Sequence, residues 1–171
     1  MLKKSKSGLL ILRIFTTSSM LVRDIMVTDY VVLTPTQSWR EAAALLLAHQ
    51  ASAGPVIDTA GELIGILSEK DLFRGIFPSH REWASDPHAY LDFEEMESNA
   101  HEASEKRVAD VMSRRLITAT PSMPILKVGA LMSASGIHHV PVTDAGRLVG
   151  LVNRGGIYRA ILGRHLGITK G

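Results

Sequence analysis

The chain repeats itself, and that repetition limits what it can fold into more than any other feature. Val22-Arg-Asp24-Ile-Met26 returns as Val108-Ala-Asp110-Val-Met112, Thr34-Pro35 as Thr120-Pro121, and Pro55-Val56 as Pro141-Val142, all at an offset of 86. One deletion in the second copy lowers the offset to 85, and Gly61, Leu63, Gly65 and Arg74 then match Gly146, Leu148, Gly150 and Arg159. Register held over so many positions marks an internal duplication.

Each copy has the same local grammar. Tyr30–Thr34 and Leu116–Thr120 are short β-favouring runs closed by Thr-Pro, where proline ends a hydrogen-bonded ladder. Ser38 and Glu41 form a capping box that opens a helix over Trp39–Gln50, and Pro124 starts the matching helix of the second copy. Gly54–Asp58 and His139–Thr143 read as second strands, followed by Gly-containing turns at Gly61 and Gly146. Third strands over Glu62–Leu67 and Arg147–Val152 lead into closing helices, Glu69–Phe77 and Arg154–Gly163. The expected fold is α/β (α+β), with the order β-α-β-β-α twice. A unit this small cannot bury both faces of its own sheet, so the copies should pack together with pseudo-twofold symmetry.

These boundaries divide the chain into an extension (1–19), a first repeat (20–77), an acidic insert (78–106), a second repeat (107–165) and a tail (166–171). In the extension, Lys3–Lys6 and the apolar run after Gly8 imitate a secretory signal. Arg13 interrupts that run, no cleavage site follows, and Met20 reads as the natural start with a dispensable arm before it. No stretch is apolar enough to span a membrane. The absence of cysteine excludes disulfide frameworks and thiolate chemistry and fits a reducing cytoplasm. Charge is uneven: residues 20–77 carry 4 basic and 7 acidic side chains, 78–106 carry 2 and 8, and 107–171 carry 9 and 2. The basic second half holds one aromatic, Tyr158, too few for stacking on bases, so nucleic acid is not the expected partner.

The insert is longer than a connector needs. Ser79–Glu82 and Asp86-Pro87 predict two helix starts, and Tyr90, Phe93, Met96 and Ala100 form an apolar stripe on the second helix, suited to cover the module or a dimer contact. His80, His88 and His101 match no established metal-ligand spacing.

The repeated unit resembles the cystathionine β-synthase (CBS) domain. The resemblance is carried by Val-x-Asp-Ile/Val-Met, the strand ending Thr-Pro, the Pro-Val strand, the Asp-x-(x)-Gly-x-Leu-x-Gly hairpin and Gly65-Ile-Leu-Ser68-Glu-Lys-Asp71, and it covers about 21–77 and 107–163. It implies a tandem pair, or Bateman module, binding adenosine-containing ligands (AMP, ADP, ATP, or NAD or S-adenosylmethionine) and forming a homodimer. No cofactor is required for such a role.

It also implies where the ligand sits. Ser68 at a helix start would hold phosphate, and Asp71 would accept hydrogen bonds from ribose hydroxyls. On local chemistry alone, Ser68 is equally a cap and Asp71 a partner of the helix dipole. Val32, Leu33, Thr118 and Ala119, beside Thr34 and Thr120, are candidate walls for an adenine ring, although apolar strand residues more often serve the core. In the second strands, Ala53 and Pro55 match His139 and Pro141. The residue three before the proline, His138, is the one expected to face the cleft, and strand alternation would turn His139 away from it. The second copy departs from the pattern: Asn153-Arg154-Gly155-Gly156 stands where Ser68–Asp71 does. Asn153 can cap, Arg154 can meet phosphate, and Gly156 removes the ribose clamp, so the two sites should be unequal. With no nucleophile, P-loop or metalloprotease motif present, the sequence reads as a regulatory module acting on an effector protein rather than as an enzyme. The alternative is a structural or interaction module with degenerate ligand sites.

Overall fold

The computed structural model describes residues 19–77, 80–85 and 93–167. The first 18 residues, the helix starts at Ser79 and Asp86-Pro87, and Tyr90 and His88 lie outside them.

In the first repeat the Ser38 cap is followed by α1 (Trp39–Ala48), an antiparallel hairpin of β1 (Ala53–Ile57) and β2 (Leu63–Ser68), and α2 (Glu69–Arg74). The insert contributes α3 (His80–Ser85) and α4 (Phe93–Glu105). The second repeat opens with a single turn, α5 (Val108–Val111), then α6 (Ile125–Ser135), the hairpin β3 (His139–Asp144) and β4 (Arg147–Asn153), and α7 (Arg154–Leu166). The Ser38–Glu41 box is present: Glu41 N–H donates to Ser38 Oγ (3.2 Å) and Ser38 N–H to the Glu41 carboxylate (2.8 Å). Gly61 and Gly146 sit at φ 84° and 80°, the left-handed geometry these tight turns need.

The first strands differ from expectation. Each is reduced to one parallel bridge, Leu33 to Val56 and Ala119 to Val142, with the flanking residues irregular. The Thr-Pro that ends each run leaves room for little more than the two hydrogen bonds around the buried Leu33 or Ala119. The closing helices also differ: α2 stops at Arg74, and α7 continues to Leu166 before Gly167 at φ 63°. Pro124 is the N-cap residue of α6 rather than its first turn.

The outer edge of each hairpin is completed by the other repeat. Ile66 on β2 exchanges two backbone hydrogen bonds with Ser113 (3.0 and 2.9 Å), and Leu151 on β4 does the same with Val27 (2.9 Å each). The leading segments therefore cross over. Val22 N–H donates to Met123 O (2.9 Å), and the equivalent Val108 N–H donates to Gln37 O (2.9 Å). Val22 is buried with Val128, Met132, Val140 and Ile157 of the second repeat, whereas Val108 and Met112 are buried with Leu33, Leu46, Val56 and Leu67 of the first. Each such valine contributes on the order of 1.5–3 kcal/mol to a core that its own repeat does not form.

The apolar stripe of the insert is kept at Met96 and Ala100, both half-buried, and runs on one turn further than expected. Ala103 and Ser104 on α4 are buried, α4 packs on α1, and Arg40 donates to Ser104 Oγ (3.2 Å). Phe93, expected on that stripe, is 70% exposed.

Candidate functional site

The crossed packing leaves two clefts related by the repeat symmetry. The first, about 550 Å³, brings Ser68 and Asp71 of the first repeat to Leu116, Ile117, His138 and Pro141 of the second. The second cleft, about 580 Å³, sets Tyr30, Val32 and Ala53 of the first repeat against Leu151 and Asn153 of the second. Both volumes are those of small-ligand sites.

At the first cleft, Ser68 occupies the N-cap position of α2, but the capping runs opposite to the expectation. Ser68 N–H and Ser68 Oγ both donate to Asp71 Oδ2 (2.9 and 2.6 Å), so the carboxylate caps and the hydroxyl is its ligand. Oδ1 is left facing Arg74 at 3.9 Å, a contact weakened by the exposure of Arg74. Asp71 is mostly buried and held in one rotamer, with one oxygen committed and the other available. Glu69 N–H is taken by Ser52 O (3.0 Å), and α2 is only six residues long, so a phosphate here would depend on side chains more than on the helix terminus.

At the second cleft, Asn153 Oδ1 accepts from Gly156 N–H (2.7 Å) and caps α7. Arg154 N–H donates to His138 O (2.8 Å), matching Glu69 and Ser52. The Arg154 side chain is exposed and lines neither cleft, unlike the equivalent Glu69, which lines the first.

The histidine pair departs from the alternation argument. β3 begins at His139, so His138 precedes the pleat and both side chains reach the first cleft. His139 also lines the second cleft, and its Nε2 lies 2.9 Å from Ser52 Oγ across the repeat boundary. Burial holds the His139 imidazole below the ordinary histidine range; neighbouring His138 acts the same way and Asp71 opposes it.

Seven candidates fall outside both clefts: Arg154, Thr34, Thr118, Thr120, Pro55, Leu33 and Ala119. Thr34, Thr118 and Thr120 are exposed, and Pro55 is buried in the hairpin. Leu33 and Ala119 are core residues, 0% and 1% exposed. The sequence reading missed Arg115, Leu116, Ile117, Lys70 and Arg74 in the first cleft and Asp29 and Tyr30 in the second. The sequence reading placed the wall beside the Thr-Pro that ends each run, whereas the start of the run, Arg115–Ile117, meets the first cleft.

Two interleaved copies of one small α/β unit, with a ligand-sized cleft on each side of their junction, define a paired-repeat binding module. The chain belongs to the CBS domain family, which it matches over residues 22–77 and 108–163, and it is a tandem CBS pair. An uncharacterized protein of Methanocaldococcus jannaschii is 32% identical over 155 residues, covering 84% of this chain and 92% of that one. The CBS domain pair of protein MJ0100, solved with 5′-methylthioadenosine and S-adenosyl-L-methionine, superposes with a TM-score of 0.65 at 27% identity, covering 86% of this chain and 99% of that one. CBSX2, solved with AMP, does so with a TM-score of 0.61 at 28% identity, covering 83% and 96%. Among the described residues no helix is long and apolar enough to cross a membrane.

Proposed function

We propose that this protein is a regulatory module that binds an adenosine-containing ligand in the first cleft and passes its occupancy to an effector protein. The observation that carries the reading is the meeting of Asp71 with Leu116, Ile117, His138 and Pro141, residues of opposite repeats, in one cleft. Asp71 Oδ1 is the acceptor for ribose hydroxyls, Leu116 and Ile117 are the apolar wall for the base, and Lys70, Arg74 and Arg115 are the cations for phosphate. The ligands seen in the MJ0100 pair and in CBSX2 support the adenosine class. A ligand bridging the repeats favours their docked state by its differential affinity alone, which is how occupancy becomes a signal.

A homodimer is part of this proposal. Phe73 is 61% exposed and stacks on Phe77 with ring centroids 5.4 Å apart; Tyr158, its counterpart in the second repeat, is 62% exposed. Exposed aromatics at equivalent places in the two repeats suit an isologous contact with a second copy.

Thermal shifts with AMP, ADP, ATP, NAD and S-adenosylmethionine test the ligand. At 100 times Kd a ligand adds about 2.7 kcal/mol to stability. Asp71→Ala also removes the α2 cap and lowers the melting temperature without ligand, so the quantity compared is the ligand-induced increment. The expected result is an increment in wild type that is lost in Asp71→Ala. If none of these compounds stabilises the wild type, the chain is a structural or interaction module instead.

A further inference from the structure

We infer that the two clefts are sorted by ligand charge, the first taking a phosphorylated adenosine nucleotide and the second an adenosine derivative that carries no phosphate. This rests on the adenosine reading of the first cleft and adds to it a ligand class for the second. The argument is positional. Arg115 lines the first cleft, and the residue at the same position of the other repeat, Asp29, lines the second, so one site in the unit carries opposite charges in its two copies.

The remaining charges follow the same division. Lys70 and Arg74 line the first cleft beside Glu69 and Asp71. Their counterparts are Gly155, which has no side chain, and Arg159, whose guanidinium lies over Gly155 and lines no cleft. Among the described residues the second cleft is therefore lined by no lysine or arginine, and Asp29 is its one carboxylate. A di- or triphosphate placed there would meet a negative side chain with no lysine or arginine to offset it, only the imidazoles of His49 and His139, whereas the first cleft offers three lysine and arginine cations against two acids.

What the second cleft offers instead suits a neutral nucleoside. Val31, Val32, Leu45 and Leu151 give apolar wall, and Tyr30 is fixed by donating its hydroxyl to Leu148 O (3.3 Å). Gly156 supplies no carboxylate to this cleft, and the one that lines it, Asp29, comes from the other repeat at the place equivalent to Arg115. A carboxylate accepts hydrogen bonds from ribose hydroxyls and attracts a cationic substituent, and it repels phosphate.

The test counts two probes on the full chain by equilibrium dialysis: ATP alone, and labelled adenosine at saturating ATP. The expected result is one ATP per chain, with one adenosine still bound beside it. Asp29→Arg should admit a second ATP and expel the adenosine. Arg115→Asp should weaken ATP by about tenfold or more, the scale of one lost charged hydrogen bond, and leave the adenosine of the second cleft in place. Two ATP per wild-type chain, or complete displacement of adenosine by ATP, would overturn the sorting while leaving the adenosine reading intact. Unchanged counts in Asp29→Arg would overturn the role of Asp29. If neither probe binds, the adenosine reading itself fails, a result distinct from the other outcomes.

Discussion

His139 shows how much a single side chain can take from its surroundings. Its imidazole lines both clefts and meets Ser52 Oγ at 2.9 Å, and burial holds its pKa down. A histidine whose folded pKa lies below its unfolded value of about 6.5 binds protons more readily unfolded, so its contribution is complete above that pH and is lost as pH falls through it. His139→Gln keeps a hydrogen-bonding partner for Ser52 and removes the titration. Between pH 8 and pH 5 the melting temperature of wild type should fall more steeply than that of His139→Gln, and parallel curves would count against this account. No residue pattern announced the contact: Ser52 and His139 are 87 positions apart, and their pairing depends on how the repeats dock.

Among elements, the hairpins explain why glycine recurs at equivalent places. A Cβ on Gly65 would fall on Met112 Sδ, and one on Gly150 would lie 3.0 Å from Met26 Sδ. Each methionine of the leading Asp-Ile/Val-Met motif covers the glycine of the opposite hairpin. Gly65→Ala should cost about 1–3 kcal/mol by overpacking, measured by urea denaturation. Combined with Met112→Ala it should cost less than the two changes summed, the coupling expected of residues in contact. Ser38→Ala, which removes the α1 cap, should cost about 1 kcal/mol. The cap was legible because it depends on four consecutive residues. The glycine–methionine contacts were not, although both partners belong to the repeated motif, because a motif records recurrence and not which copy touches which.

At the scale of the whole molecule, the unit that repeats in sequence differs from the unit that packs. The segment around Val22 completes the second core and the segment around Val108 the first, so a cut at the sequence boundary removes a buried wall from each half. A fragment spanning 29–113 carries Leu33, Leu46, Val56 and Leu67 together with Val108 and Met112, whereas 20–77 lacks the last two. The longer fragment should show cooperative thermal unfolding and the shorter one should not, as followed by circular dichroism. Equal behaviour would mean that the crossover contributes little.

The sequence by itself determined the duplication, the Ser38–Glu41 capping box, the hairpins and the asymmetry between Asp71 and Gly156. All of these are local or recur at fixed spacing, so neighbouring residues suffice to specify them. Only the tertiary structure decided that the leading segments exchange, that Leu33 and Ala119 are core while Leu116 and Ile117 line a cleft, and that Arg115 and Asp29 hold equivalent places in different sites. These depend on which surfaces of two similar units meet. That choice is made by the summed burial of many side chains distant in sequence, which no short pattern contains.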